Sequence, residues 1–222
     1  MTRAVVFDFD GVLADTEGIH LAAFRAVFAD RGWTLDREQY LDRYCRYSDN
    51  RDVVRAFAGD RGLDLRAEDV DALALDKIRR YERLVSGGAV LFPGTAGTIE
   101  RLGAAYRLAI ASGSLQGEVL AILRANQLAA SFSVVIGSDN VIRTKPSPDP
   151  YLAALDGLAL AASNAVAVED TPWGLTSAAA AGLRTIAVAT TLSASELAQA
   201  DVVVGSLNDI TTALVDQLLD LP

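Results

Sequence analysis

Two pairs of carboxylates directly follow short apolar segments of the chain. Asp8 and Asp10 follow Ala4–Phe7 in the segment DFDGVLADTE, and Glu169 and Asp170 follow the segment AVAV. Two anions at the tip of an apolar segment repel each other unless a cation or hydrogen-bond donors compensate. Several carboxylates around one point are typical of a hard-cation site, and Mg²⁺ suits such oxygen ligands. An acidic surface turn is the simpler alternative for either pair taken alone.

Two further loops offer groups that bind anions. Lys145 lies in RTKPSPDPY and is, with Lys77, one of only two lysines among 20 basic residues. A compact ammonium fits where the planar arginine fork does not, which favours a site role over a solvated surface lysine. Ser112 in IASGS offers a hydroxyl, and the amides of Gly113 and Ser114 predict a small anion-binding turn at a helix start. A plain helix N-cap is the alternative at Ser112.

The elements that precede these residues must bring them together. Short segments rich in β-branched residues, without polar alternation, predict strands of a buried parallel sheet, and the helical patterns between them predict βαβ units. We expect strands at 4–7, 108–111, 134–136, 165–168, 185–188 and 202–204. Ser147-Pro148 and Thr171-Pro172 each predict a helix start, with the hydroxyl as N-cap. The predicted fold is a doubly wound, Rossmann-like α/β core whose crevice lies at the carboxyl ends of the strands.

Residues 15–88 interrupt the alternation of strands and helices. They contain no strand pattern, and Ser86-Gly87-Gly88 returns the chain to the core. Amphipathic helical patterns occur at 19–28, 53–57 and 70–84. We therefore predict a catalytic α/β core of residues 1–14 and 89–222 with an inserted all-helical cap domain of residues 15–88.

Composition excludes several classes of function. The 222 residues are 51% hydrophobic and 22% charged, which predicts a globular protein. A net charge of −9, from 20 basic and 29 acidic residues, argues against nucleic-acid binding. Cys45 is the single cysteine and Asp8 interrupts any signal segment, so we expect a cytoplasmic protein without membrane association. The oligomeric state stays open, with a monomer favoured.

In this order, the segments DFDGVLADTE, IASGS, KPSPDPY and VEDTPWGL resemble the haloacid dehalogenase superfamily of phosphotransferases. The resemblance covers essentially the whole chain. It is greatest to the subgroup that holds β-phosphoglucomutase, phosphoglycolate phosphatase and sugar-phosphate phosphatases, in which a helical cap follows the first strand. A small phosphorylated metabolite is the substrate that this resemblance implies.

The resemblance also implies a mechanism. Asp8 would attack phosphorus to give an aspartyl-phosphate, and Asp10 would protonate the leaving alcohol and then activate water. Mg²⁺ would be held by the Asp8 carboxylate, the Asp10 backbone carbonyl and Asp170. Glu169 would lie close to the ion or in its outer coordination shell. The phosphoryl oxygens would be held by Ser112, Gly113 and Lys145.

The resemblance assigns substrate selection to the cap. Thr16 and His20 are four residues apart, hence on one helical face, and would assist closure around Asp10. A packing histidine is the alternative for His20. Lys77 matches a cap lysine that reaches toward substrate, with a solvated helix lysine as the alternative.

Departures from the mutase pattern bear on the reaction. Arg46 and Asp49 replace the glycine and arginine of a cap segment that grips a second phosphate, and Leu115 replaces a lysine. Losing two cations weakens retention of a bisphosphate intermediate, although Arg51 could restore one contact. We expect a Mg²⁺-dependent phosphatase. A β-phosphoglucomutase-type mutase is the alternative, and a non-catalytic binder that keeps the fold is a more distant one.

Overall fold

A computed structural model describes residues 2–45, 47, 49–85 and 90–221 of the chain. The chain divides into two compact units: a core unit of residues 1–15 and 90–222, and a helical unit of residues 16–89. The return segment Ser86-Gly87-Gly88 and the departure at Arg46 lie outside the described residues. No helix in the described part of the chain has the length and apolar character needed to cross a membrane.

The core unit is built on a six-stranded sheet. Its strands are β1 (Ala4–Phe7), β2 (Arg107–Ala111), β3 (Phe132–Ile136), β4 (Ala165–Glu169), β5 (Arg184–Val188) and β6 (Val202–Val204). They are ordered β3-β2-β1-β4-β5-β6, and every neighbouring pair is parallel. The predicted α/β class is thereby confirmed. Strand order reverses between β1 and β4, and a crevice forms at such a switch point, outside the carboxyl ends of the strands.

The helical patterns expected at 19–28, 53–57 and 70–84 fall within helices of the structure. The helices are α1 (Glu17–Ala29), α2 (Arg37–Gln39), α3 (Asn50–Asp60), α4 (Ala67–Val85), α5 (Thr95–Gly103), α6 (Gln116–Ala125), α7 (Asp149–Leu158), α8 (Pro172–Ala180) and α9 (Thr212–Leu219). A π-helical turn, Tyr40–Tyr44, follows α2. The first four helices belong to the helical unit and the other five to the core unit.

One of the two predicted helix starts is right and the other is wrong. Thr171 caps α8, since its hydroxyl accepts from the Gly174 amide at 3.3 Å and Pro172 is the first helical residue. By contrast, α7 begins at Asp149 with Pro148 as N-cap. The Ser147 hydroxyl instead donates to Asp149 Oδ1 at 2.7 Å. This local side-chain contact competes with capping and shifts the helix start by one residue.

Burial of the sheet explains its apolar strands. All four residues of β1 are fully buried, because helices cover both faces of a parallel sheet. On one face, Ala4 and Val6 pack with Tyr151 and Leu155 of α7. The small strand residues on this face let α7 approach closely, which brings the Tyr151 side chain next to the strand ends.

The helical unit has its own apolar core. Helices α1, α3 and α4 contribute the amphipathic faces that the sequence pattern predicts. Phe28 and Phe57 stack with ring centroids 3.9 Å apart, and the Arg61 guanidinium lies 3.7 Å from the Phe57 centroid. These contacts join α1 to α3.

Candidate active site

The carboxyl ends of β1 and β4 bring the two acidic pairs together. Phe7 is opposite Val168 in the sheet register, so the residues that follow them are neighbours. The Asp8 amide continues the pairing by donating to the Val168 carbonyl at 2.8 Å. Asp8 therefore lies next to Glu169 and Asp170, and one oxygen from each carboxylate lies within 4.8 Å of the others.

Burial gives this acidic cluster unusual protonation behaviour. Asp8, Glu169 and Asp170 are 7%, 0% and 2% exposed. Burial and then the charge of Glu169 raise the pKa of Asp8 well above its usual value, with Lys145 opposing the shift. The same two causes raise the pKa of Asp170 to about 7. Additional positive charge at this point would favour the ionised forms of Asp8 and Asp170.

Lys145 enters the cluster from the loop between β3 and α7. Its Nζ lies 2.9 Å from Asp8 Oδ1 and 2.5 Å from Glu169 Oε1, and its side chain is 6% exposed. Burial alone lowers the pKa of this ammonium, but the carboxylates of Asp8 and Glu169 outweigh it and raise the pKa above the usual value. Lys145 is thus a buried, charged partner of the cluster and not a solvated surface lysine.

Glu169 is surrounded by hydrogen-bond donors. Its Oε1 accepts from Lys145 Nζ and, at 2.8 Å, from the Tyr151 hydroxyl. Its Oε2 accepts from the Asp170 amide at 3.2 Å and from Thr171 Oγ1 at 3.3 Å. Both oxygens of this fully buried carboxylate are therefore satisfied by the protein itself.

Asp170 has one satisfied and one unsatisfied oxygen. Thr191 Oγ1 donates to Asp170 Oδ2 at 2.5 Å. Asp170 Oδ1 is buried and has no hydrogen-bond partner among the described residues. Gly11 makes this placement possible: its φ is +78°, and a Cβ there would lie 1.9 Å from Asp170 Oδ2. Gly11 and Thr191 therefore hold the Asp170 carboxylate in a position in which its Oδ1 oxygen stays available.

Asp10 and Ser112 form a second pair beside the cluster. Ser112 Oγ donates to Asp10 Oδ2 at 3.1 Å and accepts from the Ser114 amide at 2.9 Å. The predicted helix start here is wrong, because α6 begins only at Gln116. The Ser114 amide donates to Ser112 Oγ, and Gly113 lies half-buried between them.

The donor set fits a hard divalent cation. Three buried carboxylates face a single ammonium, and this excess of negative charge is costly without a further cation. Within the described part of the chain, no donor reaches the buried oxygen Asp170 Oδ1, which leaves that oxygen open to a metal ion. Ligands that are all oxygen are those that Mg²⁺ prefers.

Three of the predicted cap residues lie in the helical unit, and two of them, His20 and Lys77, lie against the ring of Tyr81. Thr16 is the N-cap residue of α1, and its carbonyl accepts from the His20 amide at 2.9 Å. The His20 ring centroid is 4.4 Å from that of Tyr81, and Lys77 Nζ is 4.6 Å from the same ring. Lys77 is 0% exposed, so it is not a solvated helix lysine. Burial and the charge of Lys77 lower the pKa of His20 well below its usual value.

Arg51, the fourth predicted cap residue, is exposed and engaged elsewhere. Its Nε donates to Asp71 Oδ1 at 2.6 Å. Asp49 is the N-cap of α3 and accepts from the Arg51 amide at 2.7 Å. Asp49, which stands where the mutase has an arginine, therefore has a structural role as the N-cap of α3.

Sequence reasoning missed three residues of the site: Tyr151, Gly174 and Thr191. Tyr151 ends the segment KPSPDPY, and its distance of six residues from Lys145 gives no sign that both side chains meet on Glu169. Thr191 lies three residues after the end of β5, so a polar residue soon after a buried strand was an available signal. Gly174 lies so close to Glu169 that a Cβ would be 2.1 Å from the carboxylate.

Comparison with known proteins gives consistent matches over most of the chain. A family model described as haloacid dehalogenase-like hydrolase matches residues 5–188. Protein CbbY of Rhodobacter capsulatus is 37% identical over 198 residues, 83% of this chain and 84% of that protein. A phosphoglycolate phosphatase of Rhodospirillum rubrum is 32% identical over 190 residues, 82% and 78% of the two chains. The crystal structure of a CbbY variant from Rhodobacter sphaeroides in complex with xylulose-(1,5)bisphosphate has a TM-score of 0.86 and 32% identity, covering 97% of this chain and 99% of that one.

Proposed function

This chain belongs to the haloacid dehalogenase-like hydrolase family, and we propose that it is a Mg²⁺-dependent phosphatase of small phosphorylated metabolites. The observation that carries the proposal is the buried ion pair of Lys145 with Asp8, beside Asp170 Oδ1, which no described residue reaches with a hydrogen bond. The names of the relatives support a substrate of the sugar-phosphate or phosphoglycolate type. The match confirms the family resemblance that the sequence motifs gave.

In the first half-reaction, Asp8 is the nucleophile. Its carboxylate attacks phosphorus and forms an oxygen–phosphorus bond, while the bond from phosphorus to the ester oxygen breaks. Asp10 donates a proton to the departing oxygen, so the substrate leaves as an alcohol. The products of this step are an aspartyl-phosphate on Asp8 and an ionised Asp10.

In the second half-reaction, water attacks the same phosphorus. Asp10 accepts the proton of that water, and the bond between phosphorus and Asp8 breaks. Inorganic phosphate leaves, Asp8 regains its carboxylate and Asp10 regains its proton. The hydrogen bond from Ser112 to Asp10 supports this assignment, because it fixes the carboxylate that has to exchange protons at two stages.

Lys145 and Ser112 are assigned to the phosphoryl group. The ammonium of Lys145 stabilises the charge that develops on the phosphoryl oxygens and screens the charge of Asp8. Ser112, with the backbone at Gly113, offers hydrogen bonds from the neighbouring strand end. The short distances from Lys145 to the acidic cluster support this role, since a group already held in place loses little freedom during the reaction.

The Mg²⁺ ion is assigned to the Asp8 carboxylate, the Asp10 backbone carbonyl and Asp170, with Glu169 adjacent. When bound, it supplies positive charge that offsets the repulsion between Asp8 and the phosphoryl group. Thr191 and Gly11 would fix Asp170 so that Oδ1 is the oxygen left for the ion.

We assign the helical unit to substrate selection, the role that the family resemblance gives to the cap domain. Thr16, His20 and Lys77 are its candidate substrate-binding residues, and Lys77 is a buried ammonium. The ion pair of Arg51 with Asp71 favours a phosphatase over a mutase. Arg51 is the cation that could have replaced the lost contacts to a second phosphate, and Asp71 already binds it.

A panel of phosphorylated metabolites tests the proposal. The panel includes a hexose 1-phosphate, sugar bisphosphates and phosphoglycolate, and each reaction is run with Mg²⁺ or with a chelator in excess. Free phosphate and isomerised sugar phosphate are both measured. Release of phosphate that the chelator abolishes is the expected result. Conversion of hexose 1-phosphate to the 6-phosphate with little free phosphate would favour the mutase, and no Mg²⁺-dependent product would contradict the assignment.

A further inference from the structure

The hydroxyl of Tyr151 is a buried polar group that the proposed mechanism does not use. Tyr151 is fully buried in α7, and its hydroxyl donates to Glu169 Oε1 at 2.8 Å. Lys145, the other side chain that donates to this oxygen, has its Nζ 5.1 Å from the centroid of the Tyr151 ring. Tyr151 therefore contacts both members of the Glu169–Lys145 ion pair.

Glu169 and Asp170 are adjacent in the chain but differ in how they are satisfied. Glu169 accepts from four protein donors, two on each oxygen. Asp170 Oδ1 has no partner among the described residues. A carboxylate that already accepts two hydrogen bonds on each oxygen has little capacity left for a cation, whereas a buried oxygen that accepts none is open to one.

We propose that Tyr151 is a positioning residue: its hydroxyl fixes Glu169 Oε1 so that Glu169 anchors Lys145 against Asp8 and does not turn toward the cation. The anchor is a chain of contacts that runs from the Tyr151 hydroxyl through Glu169 to Lys145 and ends at Asp8 Oδ1. Tyr151 itself would not contact the substrate. Its role in turnover rests on the proposed phosphatase function.

The order of the contacts explains why a hydroxyl is needed. Lys145 lies between two carboxylates, Asp8 and Glu169, and could move toward either of them. With its Oε1 oxygen held by Tyr151, Glu169 is a fixed acceptor, so Lys145 is held at one distance from Asp8. Loss of the Tyr151 hydroxyl would leave Glu169 Oε1 less fixed in position, so the position of Lys145 against Asp8 would be less fixed as well.

Tyr151→Phe isolates this role because it keeps the ring and removes only the hydroxyl. We expect kcat to fall about tenfold, on the scale of a lost hydrogen bond to a charged group. KM should stay within about twofold, because Lys145 acts on charge that develops in the transition state. Tyr106→Phe is the matched control, because it removes a hydroxyl that donates to the Thr212 carbonyl at 3.0 Å. Tyr106 precedes the first residue of β2, at the strand end opposite the site, so this change should leave kcat unchanged.

Mg²⁺ affinity provides a readout that does not depend on turnover. Trp173 is half exposed and follows Asp170 by three residues, so its fluorescence can report titration with Mg²⁺ alone. If Glu169 is an anchor and not a ligand, Tyr151→Phe leaves the Kd for Mg²⁺ within about twofold of the wild-type value. A Kd raised tenfold would overturn the proposal, since the hydroxyl would then act through the metal site.

A double-mutant cycle in thermal stability tests the anchor without any substrate. Tyr151→Phe should lower Tm by about 3–6 °C in the wild-type background and by less than about 1 °C beside Glu169→Ala, because Glu169→Ala already removes the acceptor of the tyrosine hydroxyl. Additive Tm shifts would overturn the proposal, as would a kcat equal to that of Tyr106→Phe. If the wild-type protein releases no phosphate yet the cycle shows this coupling, the phosphatase assignment fails and the anchor stands.

Discussion

Replacing Gly174 with alanine tests how closely α8 packs on the buried Glu169 carboxylate. An alanine Cβ there would lie 2.1 Å from Glu169 Cδ and from both of its carboxylate oxygens. Non-bonded heavy atoms prefer separations of about 3.5–4.0 Å. The carboxylate or the start of the helix must therefore shift by more than about 1 Å. A shift of that size lengthens the hydrogen bonds around Glu169 beyond their normal range.

The cost of that shift can be set from the contacts it breaks. Hydrogen bonds to a charged group each contribute about 1.5–3 kcal/mol, and Glu169 accepts four of them. Loss of one or two bonds gives about 3 kcal/mol of destabilisation. Alanine recovers about 0.5–1 kcal/mol through its helix propensity. The net loss of about 2 kcal/mol lowers Tm by about 4–8 °C in a chain of this size.

Gly97→Ala is the matched control for this measurement. Gly97 is the third residue of α5, as Gly174 is of α8, and a Cβ at Gly97 meets nothing within 4 Å. Thermal unfolding followed by circular dichroism should show Gly97→Ala at or above the wild-type Tm and Gly174→Ala well below it. Equal Tm values for the two variants would refute the claim that α8 is packed on the Glu169 carboxylate.

Two other predictions concern a histidine and a helix cap. Burial and the charge of Lys77 lower the folded-state pKa of His20 below its unfolded value of about 6.5. The unfolded state therefore binds more protons, and the free energy of unfolding decreases as pH falls through about 6.5. His20→Gln should therefore reduce the decrease in the urea midpoint between about pH 7.5 and about pH 5.5, and an unchanged decrease would contradict this. Thr171→Ala should cost about 1 kcal/mol by removing the N-cap of α8, whereas Thr171→Ser should not. Equal urea midpoints for the two Thr171 variants would show that the cap does not stabilise α8.

Sequence reasoning predicted the parts of the site that depend on strand ends. Asp8 and Ser112 each follow a buried strand, Glu169 ends one, and parallel strands bring their carboxyl ends to one edge of the sheet. The apolar composition of the strands was enough to predict this. The order of the motifs along the chain then identified the family, which the comparisons confirm.

The unpredicted features depend on which side-chain atoms meet, and sequence spacing does not determine that. The predicted N-cap at Ser147 is wrong because its hydroxyl donates to the Asp149 carboxylate. Two local polar contacts compete for this hydroxyl. Which oxygen of Asp170 stays available depends on Thr191, a residue 21 positions later in the chain. The burial of Lys77 depends on how helices pack within the helical unit.

The central claim is that Asp8 is the nucleophile of a phosphatase, and covalent labelling tests it most directly. A substrate identified in the panel is mixed with enzyme and Mg²⁺, the reaction is quenched in acid during turnover, and the peptides are analysed by mass spectrometry. The account predicts a phosphoryl group on the peptide that contains Asp8, and neither label nor phosphate release in a folded Asp8→Asn variant. Undiminished phosphate release by Asp8→Asn would contradict it.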